Sequence, residues 1–273
     1  MRIAVTAPSC RLPEVSAERV RDLAAVHFPE VELVFHPQCF LSDGHFAGPD
    51  AARADAFVDC ANDPGFDALW FARGGYGSNR ALAGVLPRLT DAAKAKTYIG
   101  YSDAGFLLGA LYAAGIGEVA HGPMPGDIAR EGGEAAVRRS LGWLATRDPA
   151  SVEASLDGTA PAAAFNLTIL SHLLGTPWAP DLSGHVLMLE EVGEYMYRID
   201  RALFHVTSDP MIQRIAGLKL GRCSDIPEND PDFVKDEEAV AREWCERSGI
   251  AWLGRADIGH DIDNQVVPFG GPR

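Results

Sequence analysis

Strand and helix patterns alternate along the first half of the chain, and this alternation restricts the folds that the chain can adopt. Short apolar runs predict strands, and the amphipathic segments that follow them predict helices. The strands are predicted at residues 2–6, 32–35, 68–72 and 118–121, with another run beginning at residue 97. Helices are predicted at residues 49–60, 105–114 and 134–145, and a helical stripe after the first strand includes Val20, Leu23, Ala24 and His27. Such alternation is typical of βαβ units, which build a parallel sheet with helices on both faces.

The pattern changes beyond the last of these helices. Residues 146–164 are rich in Pro, Ala, Ser, Asp and Gly and have weak periodicity, which favours a linker. A helix is predicted at 166–174 and a strand at 185–192, and the rest is predicted to mix short strands with Gly/Pro turns. We therefore predict an α/β fold in three parts: an N-terminal parallel-sheet domain at 1–150, a linker at 151–165 and a C-terminal domain with its own β-sheet at 166–273.

Charge and cysteine content exclude several classes of partner. The chain has 38 acidic and 24 basic side chains, a formal net charge of −14, which repels nucleic acid and anionic membrane surfaces. The N-terminal apolar run is too short for a signal peptide, and no run approaches the ~20 apolar residues of a membrane span. The five cysteines are scattered, as is typical of reduced thiols. We predict a cytoplasmic protein with neither nucleic acid nor membrane as a partner.

A glycine-rich loop at residues 73–80, Arg-Gly-Gly-Tyr-Gly-Ser-Asn-Arg, joins a predicted strand to a predicted helix. Glycines at such a junction let backbone N–H groups approach a ligand, and the helix N-terminus adds partial positive charge. The loop matches neither the dinucleotide-binding pattern nor the P-loop. Three interpretations stay open: a tight turn, the ligand loop of a non-catalytic small-molecule-binding module, or a source of donors to an oxyanion.

The next predicted strand leads into a candidate nucleophile. Residues 100–104 read Gly-Tyr-Ser-Asp-Ala, which is close to the G-x-S-x-G nucleophile elbow. In such a turn Ser102 stands at the start of a helix, where the N–H of Asp103 is suitably placed to hold an oxyanion. The alternative is that Ser102 only caps the helix.

A serine nucleophile needs a base that is held by a third group. Of the eight histidines, His260 in a polar turn and His121 at the end of a strand are the candidates. Glu190 lies at the end of an apolar strand, where a buried carboxylate needs a partner. A structural ion pair is the alternative for Glu190.

Acidic residues around His260 raise the alternative of a metal enzyme. Asp257, Asp261 and Asp263 flank this histidine with oxygen ligands. No H-E-x-x-H or similar spacing accompanies them, and Ser102 would then have no role. We therefore predict neither a metal nor another cofactor.

Four segments together resemble the LD-carboxypeptidase family of serine peptidases, which includes the microcin-immunity peptidases. They are residues 72–80 (ARGGYGSNR), 99–104 (IGYSDA), 187–201 (LMLEEVGEYMYRIDR) and 259–270 (GHDIDNQVVPFG). The resemblance implies an α/β domain, a C-terminal domain with its own sheet, a cleft between them and a homodimer.

The resemblance also implies a catalytic site. By motif position the nucleophile is Ser102, the acid Glu190 and the base His260, and the oxyanion donors are the N–H groups of Asp103 and Gly75.

The reaction that the resemblance implies removes the last residue, D-alanine, from small murein tetrapeptides in cell-wall recycling. A microcin-immunity-like peptidase or amidase, or an esterase with the same triad, is the alternative. A free terminal carboxylate on the substrate needs a cation or a cluster of N–H groups. Arg73, Tyr76 and Arg198 are the predicted substrate-binding residues.

Overall fold

Two separate β-sheets organise the chain in its computed structural model, which describes residues 1–271. In chain order, strands β1 to β10 are Arg2–Thr6, Glu32–Phe35, Ala68–Phe71, Thr97–Gly100, Glu118–His121, Ala162–Asn166, Val186–Val192, Gly217–Ser224, Trp252–Arg255 and Val267–Pro268. Helices α1 to α9 are Glu14–His27, Asp50–Asn62, Ser78–Val85, Asp91–Lys94, Gly105–Ala113, Gly133–Thr146, Leu167–Leu173, Met196–Ser208 and Glu237–Ser248.

The first sheet has the strand order β10-β5-β4-β3-β1-β2. Strands β1 to β5 pair in parallel, which confirms the α/β fold expected from the alternating pattern. Every residue of β3 and β4 is buried, because helices cover both faces of the sheet. The short strand β10 comes from the end of the chain and pairs antiparallel with β5, so that Val267 lies opposite His121.

The second sheet is also parallel, with the order β6-β7-β8-β9, and confirms a C-terminal part with its own sheet. Its first strand, β6, occupies the last residues of the predicted linker at 151–165. Alanine is a poor strand former, so the Ala-Ala-Ala-Phe-Asn run gave no strand signal. Strands lie after residue 192, as predicted, but the prediction missed the long helices α8 and α9. Ile199, Leu203 and Val206 are the buried helical stripe that was overlooked in α8.

Close contact between α5 and α7 joins the two halves of the molecule. A Cβ at Gly109 of α5 would come within 2.5 Å of Leu173 Cδ2, so the glycine lets the two helices approach closely. Phe165 and Leu173 share one hydrophobic core with the apolar residues of α5. The second sheet is thus packed against the helix that follows Ser102. Within residues 1–271, no helix combines the length and apolar content that crossing a bilayer requires.

Candidate active site

Ser102 lies in a tight turn between β4 and α5, as the nucleophile-elbow pattern predicts. Its backbone has φ 60°, in the left-handed region that non-glycine residues rarely adopt. Such strain persists only where the surrounding structure imposes it, and it is typical of a serine presented at a strand-to-helix turn. A serine that only capped the helix would not need this conformation.

The structure brings Ser102, His260 and Glu190 into one hydrogen-bonded row. His260 Nε2 lies 2.9 Å from Ser102 Oγ, and His260 Nδ1 lies 2.5 Å from Glu190 Oε2. Glu190 belongs to β7 and its side chain is fully buried, whereas His260 stands on the segment between β9 and β10. A hydroxyl, an imidazole and a buried carboxylate from both halves of the chain thus have the arrangement of a catalytic triad.

The surroundings of His260 favour its protonated form. Burial disfavours the imidazolium of His260, but the negative charge of Glu190 and its hydrogen bond outweigh that cost, so the pKa of His260 is raised above 6.5. Glu190 is therefore placed to stabilise a positive charge on His260.

Three residues, Asn264, His121 and Tyr101, support the position of His260. The side-chain oxygen of Asn264 accepts hydrogen bonds from the N–H of Gly259, at 3.2 Å, and from His121 Nε2, at 3.0 Å. Burial lowers the pKa of His121 to about 4, so this histidine is neutral near pH 7. The ring of Tyr101 packs 4.8 Å from the His260 ring, centroid to centroid. His121, the other candidate base, thus supports the His260 loop, and it does so through Asn264, which the sequence reasoning missed within the GHDIDN run.

Asp103 connects the nucleophile turn to the glycine-rich loop. Its buried carboxylate accepts hydrogen bonds from the N–H of Ser78, at 2.8 Å, and from the hydroxyl of Ser9. Its carbonyl oxygen accepts from the Ser78 hydroxyl. Gly75 in the loop has φ 118°, which only glycine adopts readily. Within residues 1–271, the N–H groups of Asp103 and Gly75 donate to no protein acceptor, so both are available to a ligand.

A cavity of about 390 Å³ opens over Ser102 and His260. Gly74, Gly75 and Arg73 contribute to its wall, as does Arg130, which the sequence reasoning missed. An isolated arginine in a turn carries no sequence pattern that could have revealed it.

Two predicted substrate-binding residues lie outside the set that lines this cavity. Tyr76 is about half exposed and packs against His45 and Phe46. Arg198 lies on α8, where it pairs with Glu194 at 3.3 Å.

Two of the three acidic residues near His260, Asp257 and Asp261, are paired with Arg222. Arg222 donates to both oxygens of Asp261, at 2.8 Å from its Nη2, and also to Asp257. His260 itself contacts Glu190 and Ser102. The described chain, residues 1–271, holds no cluster of three or more His, Cys, Asp or Glu side chains arranged as metal ligands.

Gly74 offers a test of how closely the glycine-rich loop approaches the nucleophile. A Cβ at this position would lie 2.9 Å from Ser102 Oγ and 3.0 Å from its Cβ. We expect Gly74→Ala to lower kcat/KM about 100-fold by displacing Ser102, with little change in the melting temperature. Gly271→Ala is the control, because a Cβ there meets nothing within 4 Å. Unchanged kinetics in Gly74→Ala would contradict the close approach.

Two family descriptions match most of this chain. The family description "LD-carboxypeptidase N-terminal domain" matches residues 3–122, and "LD-carboxypeptidase C-terminal domain" matches residues 160–272. The murein tetrapeptide carboxypeptidase of Pseudomonas aeruginosa is 27% identical, over 98% of this chain and 91% of that protein.

Solved structures show the same fold. The muramoyltetrapeptide carboxypeptidase from Oxalobacter formigenes superposes with a TM-score of 0.80 at 26% identity, over 98% of this chain and 93% of that one. The microcin C7 self-immunity protein MccF superposes with a TM-score of 0.76 over 99% of this chain and 96% of that one. At 18% identity, that second likeness shows the fold alone.

Proposed function

The chain belongs to the LD-carboxypeptidase family of serine-type hydrolases, and from this premise we propose that it removes the C-terminal D-alanine of murein tetrapeptides, with Ser102, His260 and Glu190 as its catalytic triad. The observation that carries the proposal is the contact of Ser102 Oγ with His260 Nε2 at 2.9 Å, at the floor of an open cavity. The names of the Pseudomonas and Oxalobacter relatives support the substrate class.

The proposed reaction is acyl transfer. His260 Nε2 takes the proton of Ser102, and Ser102 Oγ attacks the carbonyl carbon of the last peptide bond. The N–H groups of Asp103 and Gly75 hold the resulting oxyanion, while Glu190 orients His260 and stabilises its charge. His260 then gives its proton to the nitrogen of the leaving amino acid as the peptide bond breaks. In the second half, His260 takes a proton from water, which attacks the ester, and returns that proton to Ser102 Oγ.

We propose fewer substrate-binding residues than the sequence predicts. Arg73 lines the cavity and can contact the substrate. Tyr76 and Arg198 stay predictions, without a cavity contact to support them.

The setting of the reaction is also a proposal. We infer a cytoplasmic enzyme of cell-wall recycling, since all five cysteines are free thiols and three of them, Cys39, Cys60 and Cys245, are buried. The homodimer implied by the family resemblance stays a prediction, which sedimentation equilibrium tests.

Release of free amino acid from a murein tetrapeptide tests the proposed function. The purified protein should release D-alanine from the tetrapeptide and leave the preceding bonds intact. The matched control is the same peptide ending in L-alanine, which should be a much poorer substrate. A protein that releases nothing, or cleaves an internal bond instead, would refute the proposal.

The pH dependence should report the titration of His260. Only the neutral imidazole can take the proton of Ser102, so kcat/KM should fall as the pH drops through the pKa of His260. Because Glu190 raises that pKa, the midpoint should lie above 6.5 in the wild type and move to lower pH in Glu190→Gln. Steady-state kinetics between about pH 5 and 9 measure both profiles. A midpoint below 6.5 in the wild type, or no movement in the variant, would contradict the assignment.

A further inference from the structure

Two arginines line the cavity over Ser102 in a strongly acidic protein. Its charged lining residues besides His260 are Arg73, Arg130 and Asp127, which gives two cations and one anion. The whole chain, by contrast, has a formal net charge of −14. Arginines at a site that must receive a substrate are suited to bind an anionic group on that substrate.

Arg130 is held in a fixed position at the edge of this cavity. Its Nε donates to Asp127 Oδ1 at 3.1 Å. Asp127 is itself buried and accepts two further hydrogen bonds, from the hydroxyl of Tyr101 at 2.7 Å and from the N–H of Met124 at 2.8 Å. Because the Tyr101 ring also packs on His260, a chain of contacts connects Arg130 to the catalytic base.

The guanidinium of Arg130 keeps donors for a ligand. An arginine has five N–H donors, and the interactions with Asp127 and the Tyr101 hydroxyl use at most two of them. The side chain is 42% exposed and lines the cavity, so the remaining donors are accessible. A planar guanidinium with free N–H groups matches a carboxylate, which it can bind through two parallel hydrogen bonds.

Arg73 stands beside the same turn but is less constrained. Gly126, in the turn that precedes Arg130, lies against the side chain of Arg73, since a Cβ at Gly126 would come 3.3 Å from its Cβ and Cγ. Arg73 is exposed, and within residues 1–271 its side chain has neither an ion pair nor a hydrogen bond. A mobile side chain loses more conformational entropy on binding than one that is already fixed.

We propose that Arg130 binds the free carboxylate of the substrate's last residue and thereby restricts the enzyme to the C-terminal bond. This inference rests on the proposed function and assigns a subsite to it. The carboxylate of the leaving amino acid lies one residue beyond the scissile carbonyl, so its partner must line the cavity that contains Ser102. Arg130 meets this requirement and is pre-organised by Asp127, with Arg73 in a secondary role.

Binding to the Ser102→Ala variant tests the subsite without turnover. Isothermal titration calorimetry compares the murein tetrapeptide with the same peptide whose terminal carboxylate is a primary amide. In the Ser102→Ala background we expect the carboxylate form to bind about 10- to 100-fold more tightly, the value of a charge-assisted pair. Adding Arg130→Ala should abolish this preference, so that the two peptides bind with about equal affinity. Arg130→Lys in its place should retain part of the preference. Because the readout is a ratio between two peptides, partial loss of folded protein does not mimic the effect.

Two control substitutions separate Arg130 from other arginines. Arg138→Ala removes an exposed arginine of α6 that does not line the cavity, and it should leave the preference unchanged. Arg73→Ala should reduce the preference by less than Arg130→Ala does. A preference retained in Arg130→Ala, or lost only in Arg73→Ala, would overturn the inference. So would an equal loss of affinity for both peptides. Failure of the wild type to release D-alanine would instead refute the proposed function.

Discussion

Replacement of Ser102 by alanine is expected to lower kcat on a murein tetrapeptide by at least about 10⁴-fold, the usual effect of removing a triad nucleophile. The substitution removes the atom that forms the acyl-enzyme, while the oxyanion donors and the binding cavity remain. The variant should also relieve the strained backbone at this position only slightly, since alanine has the same difficulty as serine at φ 60°. The rate of D-alanine release, measured in samples quenched at fixed times, tests this prediction.

The control for Ser102→Ala is another serine substitution in the same protein. Ser248→Ala removes a hydroxyl at the end of α9 that bonds to the carbonyl of Trp244 and does not line the cavity. Its kcat should stay within about twofold of the wild type. Far-UV circular dichroism should show both variants folded. Turnover by folded Ser102→Ala at the wild-type rate would exclude Ser102 as the nucleophile.

Glu190→Gln is the second substitution with a large expected effect, a fall in kcat of about 10⁴-fold. The glutamine side chain carries no charge to stabilise the imidazolium of His260. If its amide N–H groups face Nδ1, they also favour the tautomer with its proton on Nε2, which cannot accept the proton of Ser102. The loss should appear mainly in kcat, because Glu190 is fully buried and does not line the cavity.

The neighbouring carboxylate provides a matched control for Glu190. Glu191 points to the opposite face of β7, where it accepts hydrogen bonds from the Asn166 side chain at 2.7 Å and from the N–H of Thr168 at 2.9 Å. Glu191→Gln should lower kcat by less than about tenfold, since the His260–Glu190 contact is retained. Similar losses of kcat in the two variants would contradict a specific role for Glu190.

Local sequence patterns predict the first sheet and the nucleophile turn well. Each strand of β1 to β5 is a short apolar run with a helix signal after it, and both features depend on residues close in sequence. The Gly-x-Ser-x-Ala run likewise predicts a strand, a tight turn and a helix, and Ser102 has the strained backbone that such a turn requires.

The contact between Ser102 and His260, in contrast, cannot be predicted from local sequence patterns. The two residues are 158 positions apart, and no local periodicity encodes their distance. They meet because β10 returns to the first sheet and because α7 packs against the glycines of α5. The residues alone left His121 and His260 as equal candidates, and only the resemblance of four separated motifs selected His260.

The supporting residues of the site were the least predictable. Asp127, Arg130 and Asn264 are single polar residues in turns, where polar side chains are common for reasons unrelated to function. Their roles depend on contacts with Tyr101 and His121, and these contacts form only in the folded chain. Sequence patterns thus predict the proposed reacting groups, whereas the residues that support them are found only in the folded structure.

Mass spectrometry of a murein tetrapeptide, incubated in parallel with the wild type and with folded Ser102→Ala, tests the central claim most directly. The account predicts that the wild type converts the peptide to the tripeptide and free D-alanine, while the variant leaves it intact over the same time. An intact tetrapeptide in both samples, or equal conversion in both, would contradict a serine carboxypeptidase that acts through Ser102.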